Sequence, residues 1–247
     1  MIDSHAHIVK EYYEDIDTLV NELKDKNVLK VINCSTSIDS CKEILELAKR
    51  SNNFLLPALG IHPETKSDFN KMDELEELVK NNKPVAIGEI GLDYYWDKSN
   101  KEEQKELFIN QINIAEKYNL PILVHTRDSI QDTFDILKER NLKGIIHCYS
   151  GSYEMAKEFI KLGYKLGIGG VLTFKNSKLY EVIEKIDLKD IVLETDSPYL
   201  SPEPLRGKQN NPYNIYYVAK RIAEIKNVEI EEVINQTTAN IYDIFDI

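Results

Sequence analysis

The stretch that decides the fold is PILVH at residues 121–125, a short continuous apolar run that ends in a histidine. Continuous apolar runs of this length are typical of parallel strands that are buried on both faces. Similar runs end at Glu89, at His147 and, later in the chain, at Asp196. In parallel α/β barrels the C-terminal ends of the strands form one face, so the pattern predicts that these polar residues share one site.

Strand-like and helix-like segments alternate along the whole chain. Eight strands are predicted, at Ile2–His5, Leu29–Cys34, Phe54–Gly60, Val85–Glu89, Pro121–His125, Gly144–His147, Tyr164–Gly169 and Asp190–Asp196. The longest predicted helix is Lys101–Tyr118, and two more are predicted at Tyr213–Ile225 and Val228–Phe245. Eight such units fit either a closed (β/α)₈ TIM barrel or an open doubly wound sheet. The first strand is not followed by the glycine-rich phosphate turn usual in open sheets, so the barrel is favoured.

Size and composition agree with a single α/β domain over residues 1–247, in which 42% of the residues are hydrophobic. Barrels of this class have roughly 250 residues. The formal net charge of −11 argues against a protein that coats nucleic acid, because such proteins are normally basic. No apolar run approaches the roughly 20 residues that span a bilayer, and the N-terminus lacks the features of a secretory signal. We therefore expect a cytoplasmic protein with no membrane partner and no obligate protein partner.

The three cysteines, Cys34, Cys41 and Cys148, are expected to be reduced and buried, since their number is odd and no CxxC pair occurs. Cys148 directly follows His147. Because neighbouring residues of a strand point to opposite faces, Cys148 is predicted to lie outside the site that contains His147.

All five histidines lie at the C-terminal end of a predicted strand or within two residues of it: His5, His7, His62, His125 and His147. Residues i and i+2 of a strand share a face, so His5 and His7 can bind one cation together. His125 and His147, on neighbouring strands, suit a second cation. His62 could be a further ligand, but a substrate contact near the metals is favoured for it.

Glu89 is the first of two carboxylates in the predicted site. It ends an apolar strand, where an unpaired charge would be costly, and its two oxygens could bridge two cations. A buried salt bridge to Arg127 or to a lysine is the alternative. The neighbouring Gly88 and Gly91 permit close approach of the backbone.

Asp196 is the second carboxylate. A closed barrel brings the eighth strand beside the first, so Asp196 should face His5 and His7, ligate the first metal and accept a proton from bound water. Glu194 lies two residues deeper on the same face, and a structural role is favoured for it.

These residues predict a metal-dependent hydrolase without identifying the bond that is cut. Two cations held about 3.5–4 Å apart would lower the pKa of a bridging water and stabilise charge on a leaving group. Mixed imidazole and carboxylate ligands suit Zn²⁺, Mn²⁺, Ni²⁺ or Co²⁺, and Mg²⁺ less well. The expected catalytic residues are Asp196, Glu89 and His62.

A series of motifs closely resembles the TatD family of metal-dependent deoxyribonucleases, part of the amidohydrolase superfamily. In order along the chain they are MIDSHAH, GIHPE, PVAIGEIGLDYYW, LPILVHTRD, GIIHCYSGS, GGVLTFKNS, LETDSPYLSP and PLRGKQNNP, and the similarity extends to the closing residues 237–240. The resemblance implies a (β/α)₈ barrel that hydrolyses phosphodiester bonds of DNA from the 3′ end.

The resemblance also implies a division of the ligands between two divalent cations. His5, His7, Glu89 and Asp196 would hold the first metal. Glu89, His125 and His147 would hold the second, and His62 would contact the substrate.

Four cations near the expected barrel mouth are candidates for phosphate binding. Arg127 follows the fifth strand, and Arg206 and Lys208 lie in the loop after the eighth. Arginine can bind a phosphate with two parallel hydrogen bonds, whereas an exposed lysine is as readily a solvated loop residue. Lys175, after the seventh strand, is a weaker candidate. A few cations beside metals suit a strand end better than a whole duplex.

Two other readings fit the same residues. A hydrolase of amide, ester or cyclic amide bonds could use the same scaffold and metal pair. The second interpretation is a non-catalytic protein that metal ions stabilise. Structural metal sites, however, are usually closed and rich in cysteine, unlike the ligand set predicted here.

Overall fold

The computed structural model describes residues 1–247 as one eight-stranded sheet with helices between the strands. Neighbouring strands are parallel and follow the order of the sequence. The strands are β1 (Ile2–Ala6), β2 (Lys30–Cys34), β3 (Leu55–Leu59), β4 (Ala86–Asp93), β5 (Ile122–Arg127), β6 (Gly144–Ile146), β7 (Tyr164–Ile168) and β8 (Ile191–Leu193). The helices are α1 (Ile16–Asp25), α2 (Ile38–Arg50), α3 (Met72–Asn82), α4 (Lys101–Tyr118), α5 (Ile130–Leu137), α6 (Tyr153–Lys161), α7 (Leu179–Lys185), α8 (Ile215–Lys226) and α9 (Ile230–Ile244).

Contacts between the first and last strands bring the sheet into a nearly closed ring. Ala6 forms a parallel bridge with Ser197. The amide of His7 donates to the carbonyl of Ser197 at 2.7 Å, and the amide of Asp196 donates to the carbonyl of His5 at 2.9 Å. The predicted (β/α)₈ TIM barrel is therefore confirmed, and the open sheet is excluded. None of the helices combines the length and apolar character needed to cross a membrane.

Apolar side chains pack on both sides of the strand ring. Inside it, Ile2, Ala86 and Leu123 belong to one buried cluster, which Phe245 joins from the end of α9. A larger cluster fills the space between the strands and the outer helices, for example around Phe108 of α4. Burial of each such side chain stabilises the fold by roughly 1.5–3 kcal/mol. The barrel is thus a packed scaffold that holds the strand ends in fixed positions.

Two β-bulges change which side chains of β1 and β4 face the interior. Between Asp3 and Ala6, β1 has one residue more than the paired segment of β2. Between Ile87 and Ile90, β4 has one residue more than the paired segment of β5. An extra residue of this kind shifts the alternation of the side chains. Glu89 therefore faces inward although Ile87, two residues earlier, packs toward the helices.

Most predicted segments are present with shifted ends. α4 has the predicted bounds, and α6 is followed by Gly163 with a φ of +92°, a conformation that ends a helix. β4 continues to Asp93 instead of ending at Glu89, because it goes on pairing with β5 after the bulge. The predicted close approach at Gly91 is confirmed: a Cβ there would lie 2.0 Å from the carbonyl oxygen of His125.

Four predicted strands, β3, β6, β7 and β8, end earlier than expected, and two of these differences concern site residues. β6 stops at Ile146 and β8 at Leu193, so His147 and Asp196 lie in the first residues of the following loops. Asp196 has a φ of +56°, which is incompatible with a continued strand.

Candidate metal centre

The residues predicted to carry the chemistry surround one cavity at the C-terminal ends of the strands. Its lining includes His7, His62, Glu89, His125, Arg127, His147 and Asp196. His5 is fully buried and contacts this lining from within the barrel. The site residues are spread over 191 positions of the chain, from His5 to Asp196. They meet at one place because each lies at or just after the end of a barrel strand.

Glu89 lies at the centre of the cluster, and its two oxygens face different histidines. Its Oε2 lies 3.3 Å from Nε2 of His5 and 3.4 Å from Nε2 of His7. Its Oε1 lies 2.8 Å from Nδ1 of His125 and 3.7 Å from Nε2 of His147. The charged contacts of Glu89 are thus with histidines, and the alternative salt bridge to Arg127 is not formed.

Asp196 faces the same histidines from the loop after β8. Its Oδ1 lies 3.4 Å from Nε2 of His7, 3.7 Å from Nε2 of His147 and 3.9 Å from Nε2 of His5. The ligand atoms of His5, His7 and Asp196 all lie within 4.8 Å of one another, as do those of His5, Glu89 and His147. Both sets are compact enough to hold a cation.

His5 and His7 have partners on their outer ring nitrogens. Nδ1 of His7 lies 3.0 Å from the carbonyl oxygen of Cys34, to which it donates. The lone pair of a neutral His7 is therefore on Nε2, which points at Glu89, Asp196 and the ring of His5. Nδ1 of His5 lies 3.5 Å from the thiol of Cys34. Lone pairs that converge in this way fit a bound cation.

Carboxylates orient His125 and His147. Nε2 of His125 lies 3.0 Å from Oδ2 of Asp93, at the end of β4. Nδ1 of His147 lies 3.1 Å from Oε1 of the fully buried Glu194, a close charge contact whose angle is poor for a hydrogen bond. Carboxylates that hold the far side of an imidazole are a common feature of metal sites. The residues present therefore fit a metal centre.

His62 differs from the other four histidines. Its Nδ1 accepts a hydrogen bond from the amide of Glu64 at 3.2 Å, so a neutral ring carries its proton on Nε2. Burial, together with the positive charge of His125, lowers the pKa of His62 to about 3. Nε2 lies 3.8 Å from Oε1 of Glu89. A neutral donor at this position suits hydrogen bonding to an anion, although its ligand atom also lies within 4.8 Å of those of Glu89 and His125.

The cluster attracts positive charge strongly. Burial acts to lower the pKa of His7, but hydrogen bonds to Asp196 and Glu89 outweigh burial and raise it to about 10. Burial also acts to lower the pKa of His125 and of His147, but the neighbouring carboxylates outweigh it and raise both to about 9. Burial would raise the pKa of Glu89, but the surrounding histidines hold it well below its usual range. Divalent cations compete for the same positions and displace such protons.

The predicted phosphate-binding cations differ in their positions. Arg127 is exposed at the end of β5 and lines the cavity. Arg206 is exposed in the loop after β8, with its guanidinium 3.8 Å from the centre of the Phe174 ring. Lys208 is exposed in the same loop, and Lys175 is exposed after β7. Arg206, Lys208 and Lys175 are not part of the cavity lining.

The prediction for Cys148 is wrong. All three cysteines are free, and Cys34 and Cys41 are buried, but Cys148 is partly exposed and lines the cavity beside His147. β6 has already ended at Ile146, and Cys148 has a φ of +46°, so strand alternation does not apply to it. Its amide donates to Oε1 of Glu194 at 2.7 Å.

Sequence reasoning missed two residues of the centre. Asp93 lies beyond the predicted end of its strand at Glu89. Asp3 is fully buried, accepts from the amides of His5 at 3.2 Å and Thr195 at 3.0 Å, and so ties β1 to the segment after β8. Asp3 lies within a predicted strand and Asp93 continues the apolar run after Glu89, which is a signal that could have identified both, because a carboxylate in a buried strand needs a partner.

Known proteins are similar to this chain over nearly its whole length. The family model described as "TatD related DNase" matches residues 2–246. An uncharacterized metal-dependent hydrolase of Bacillus subtilis, YabD, is 40% identical over 254 residues, covering 100% of this chain and 99% of the relative. Human deoxyribonuclease TATDN3 is 31% identical over 261 residues, covering 99% of this chain and 94% of the relative.

A solved structure agrees with the sequence relatives. The crystal structure of YjjV, a TatD homologue from Escherichia coli, superposes with a TM-score of 0.92 at 30% identity, covering 100% of this chain and 98% of the other. A family match over nearly the whole chain, a shared fold and a histidine–carboxylate centre at the barrel mouth lead to one conclusion. This chain belongs to the TatD family of metal-dependent hydrolases.

Proposed function

We propose that this protein is a divalent-metal-dependent deoxyribonuclease that hydrolyses phosphodiester bonds of DNA from the 3′ end. The observation that carries the proposal is the central position of Glu89, whose two oxygens face two different groups of histidines. Such a carboxylate suits two cations, an arrangement that nucleases and phosphatases use to stabilise both the attacking and the leaving oxygen. The human relative named a deoxyribonuclease supports the choice of DNA.

The proposed ligands follow the two sides of Glu89. His5, His7 and Asp196, with Oε2 of Glu89, would hold one cation. His125 and His147, with Oε1 of Glu89, would hold the other. The ring centres of His5 and His147 lie 3.5 Å apart, so the two groups adjoin each other. Zn²⁺, Mn²⁺, Ni²⁺, Co²⁺ and Mg²⁺ are the candidate ions.

The chain's own residues would then position and deprotonate the reactants. Divalent cations bound here would activate the attacking water and offset charge on the phosphoryl oxygens. Asp196, which is more exposed than Glu89, would accept the proton of that water. His62 would donate a hydrogen bond from Nε2 to a phosphate oxygen. Arg127, at the edge of the cavity, would bind a phosphate, while Arg206 and Lys208 would contact more distant parts of the strand.

A cleavage assay tests the proposal. The metal-loaded protein is incubated with single-stranded DNA labelled at either end and, separately, with a panel of amides, esters and cyclic amides. We expect stepwise shortening from the 3′ end and a decrease of at least about 100-fold in the Asp196→Asn variant, as is usual for loss of a proton acceptor. The exposed Asp187→Asn variant is the matched control and should retain wild-type activity.

Two results would contradict the proposal. Turnover of amides or esters with intact DNA would favour another hydrolase on the same scaffold. A protein that retains two metal ions and hydrolyses no substrate of either kind would favour the non-catalytic scaffold.

A further inference from the structure

Two aromatic side chains are exposed at the rim of the metal cavity, directly after β4. Trp96 is 70% exposed and Tyr95 is 50% exposed. The preceding Tyr94 is 2% exposed, and its hydroxyl donates to Asp132 at 2.9 Å. Trp96 also lines the cavity that contains the histidines. Since neither Tyr95 nor Trp96 belongs to the buried core, their ring surfaces are available to a ligand.

Arg127 joins these two rings to the metal centre. Its guanidinium lies 3.8 Å from the centre of the Tyr95 ring and 5.5 Å from that of Trp96. Arg127 is two residues beyond His125 on β5, a distance of roughly 6.6 Å along a strand. The carbonyl of Arg127 accepts a hydrogen bond from the amide of Tyr94 at 2.9 Å, which fixes the start of the aromatic loop against β5.

The two rings and the guanidinium form a compact group. Tyr95 and Trp96 pack edge to face, with ring centres 4.7 Å apart and planes at 86°. An arginine stacked on a ring keeps its N–H groups directed outward, so it can bind a phosphate while it supports the aromatic surface. We refer to Tyr95, Trp96 and Arg127 as the rim cluster.

We propose that the rim cluster is a stacking platform for an unpaired nucleobase, an inference that rests on the proposed function and assigns Tyr95, Trp96 and Arg127 as the residues that position the strand end. Aromatic side chains beside a cation are the usual means by which proteins hold single-stranded nucleic acid without sequence preference. A base within a duplex has its faces covered by neighbouring base pairs and could not use the platform. The phosphate next to the stacked base would reach Arg127, and the scissile phosphate would lie at the histidines.

The platform accounts for how an acidic chain holds a polyanion. With a net charge of −11, the protein as a whole repels DNA. Stacking on Trp96 does not depend on net charge, and one guanidinium supplies a local attraction. Binding should therefore depend on base stacking more than on salt-sensitive phosphate contacts.

Equilibrium binding tests the platform. The probe is a 5′-labelled phosphorothioate oligothymidylate of about 10 nucleotides, within the range of single-strand site sizes, measured by fluorescence anisotropy with metal-loaded protein. A second oligonucleotide carries tetrahydrofuran residues instead of bases at its 3′ end. We expect wild-type protein to bind the base-bearing probe about ten-fold more tightly, the effect of one stacked base. Trp96→Ala should bind both probes equally, and Trp96→Phe should keep part of the preference.

Controls separate this inference from the proposed function. Tyr242→Ala, which removes an exposed tyrosine on α9, should keep the wild-type preference. Trp96 is the only tryptophan, so its emission should be quenched by the base-bearing probe and not by the other. An unchanged preference in Trp96→Ala, or no binding of either probe by the wild type, would overturn the platform. Base-dependent binding without any cleavage of phosphodiester DNA would refute the proposed function alone.

Discussion

At the scale of single residues, we expect Glu89 to determine whether the proposed centre holds two cations or one. It is 3% exposed and contacts histidines from β1, β5 and the loop after β6. Asp196 approaches His5, His7 and His147 with one oxygen, Oδ1. Removal of Glu89 should therefore disturb both proposed cation positions, because each of its two oxygens faces a different group of histidines.

Glu89→Ala is expected to lose at least one equivalent of bound metal, because the carboxylate shared by the two groups of histidines is gone. Elemental analysis of the purified variant, beside wild type, measures this directly. Glu77→Ala, an exposed glutamate on α3, should keep the wild-type metal content. Two retained equivalents in Glu89→Ala would show that Glu89 is not a shared ligand.

The residues that line the cavity could be predicted from the sequence, whereas the contacts that orient them could not. The position of a histidine at the end of an apolar run, as in ILVH, can be predicted because the C-terminal ends of parallel strands lie on a common face of the barrel. The partners Asp93 and Glu194 depend on details such as the length of β4 after its bulge. The error for Cys148 has the same cause, since its positive φ follows from a loop conformation that alternation does not predict.

At the scale of elements, the close spacing of β7 and β8 sets the position of His147. A Cβ at Gly167 of β7 would lie 2.1 Å from Oε2 of Glu194 and 2.8 Å from its Cδ. Glu194 in turn contacts Nδ1 of His147. The absence of a side chain at residue 167 thus leaves the space that the orienting carboxylate occupies.

Gly167→Ala should lower metal affinity about 10- to 100-fold, the usual effect of disturbing a carboxylate behind a metal-binding histidine. The variant should still fold, because the atom displaced is the end of a side chain and not backbone. A metal titration followed by calorimetry gives the affinity, and circular dichroism reports the fold. Gly169→Ala is the control, since a Cβ there would have no neighbour closer than 3.5 Å and its φ of −116° is accessible to alanine. Unchanged affinity in a folded Gly167→Ala would show that Glu194 does not orient His147.

Helix α2 has a capping contact from outside its own sequence. Asp68, which is 4% exposed, accepts from the amide of Ile38 at 2.8 Å and pairs with Lys71 at 2.7 Å. Burial acts to raise the pKa of Asp68, but the hydrogen bonds from Lys71 and from the Ile38 amide outweigh it and lower the pKa. Stability from this group is therefore present above its unfolded pKa of about 3.9 and is lost as the pH falls through the lower folded value.

Asp68→Ala should lower the free energy of unfolding by roughly 1–2 kcal/mol near pH 7, since a buried amide loses its acceptor. The difference from wild type should begin to shrink as the pH falls below about 4, where the unfolded state becomes protonated, and should be smallest below the lowered folded pKa, where both states are protonated. Urea unfolding of the metal-free proteins at several pH values measures it. A difference that stays constant down to the lowest accessible pH would contradict the role of the charged carboxylate.

At the scale of the whole molecule, the barrel brings together negative charge that needs compensation. Glu89, Asp93, Glu194 and Asp196 lie around one cavity in a chain of net charge −11. The sequence predicted the ring of strands well, because eight apolar segments at regular intervals have few other arrangements. It did not predict the bulges in β1 and β4, which arise from pairing between distant strands.

Divalent metal should stabilise the whole fold, because cations that bind only the native state shift the unfolding equilibrium. At about 100 times the dissociation constant the gain is about 2.7 kcal/mol. For a chain of this size that corresponds to a rise in Tm of roughly 5–10 °C. Differential scanning calorimetry with Mn²⁺ or with a chelator should show this shift in wild type and a smaller one in Glu89→Ala. An identical Tm with metal and with chelator would argue against metal binding to the native centre.

The most direct test of the account is a crystal structure of the Mn²⁺-loaded protein with an anomalous difference map. We predict two peaks, about 3.5–4 Å apart, one on each side of the Glu89 carboxylate. The first peak should lie beside His5, His7 and Asp196, and the second beside His125 and His147. A single peak, or peaks elsewhere on the protein surface, would contradict the two-metal centre on which the proposed function depends.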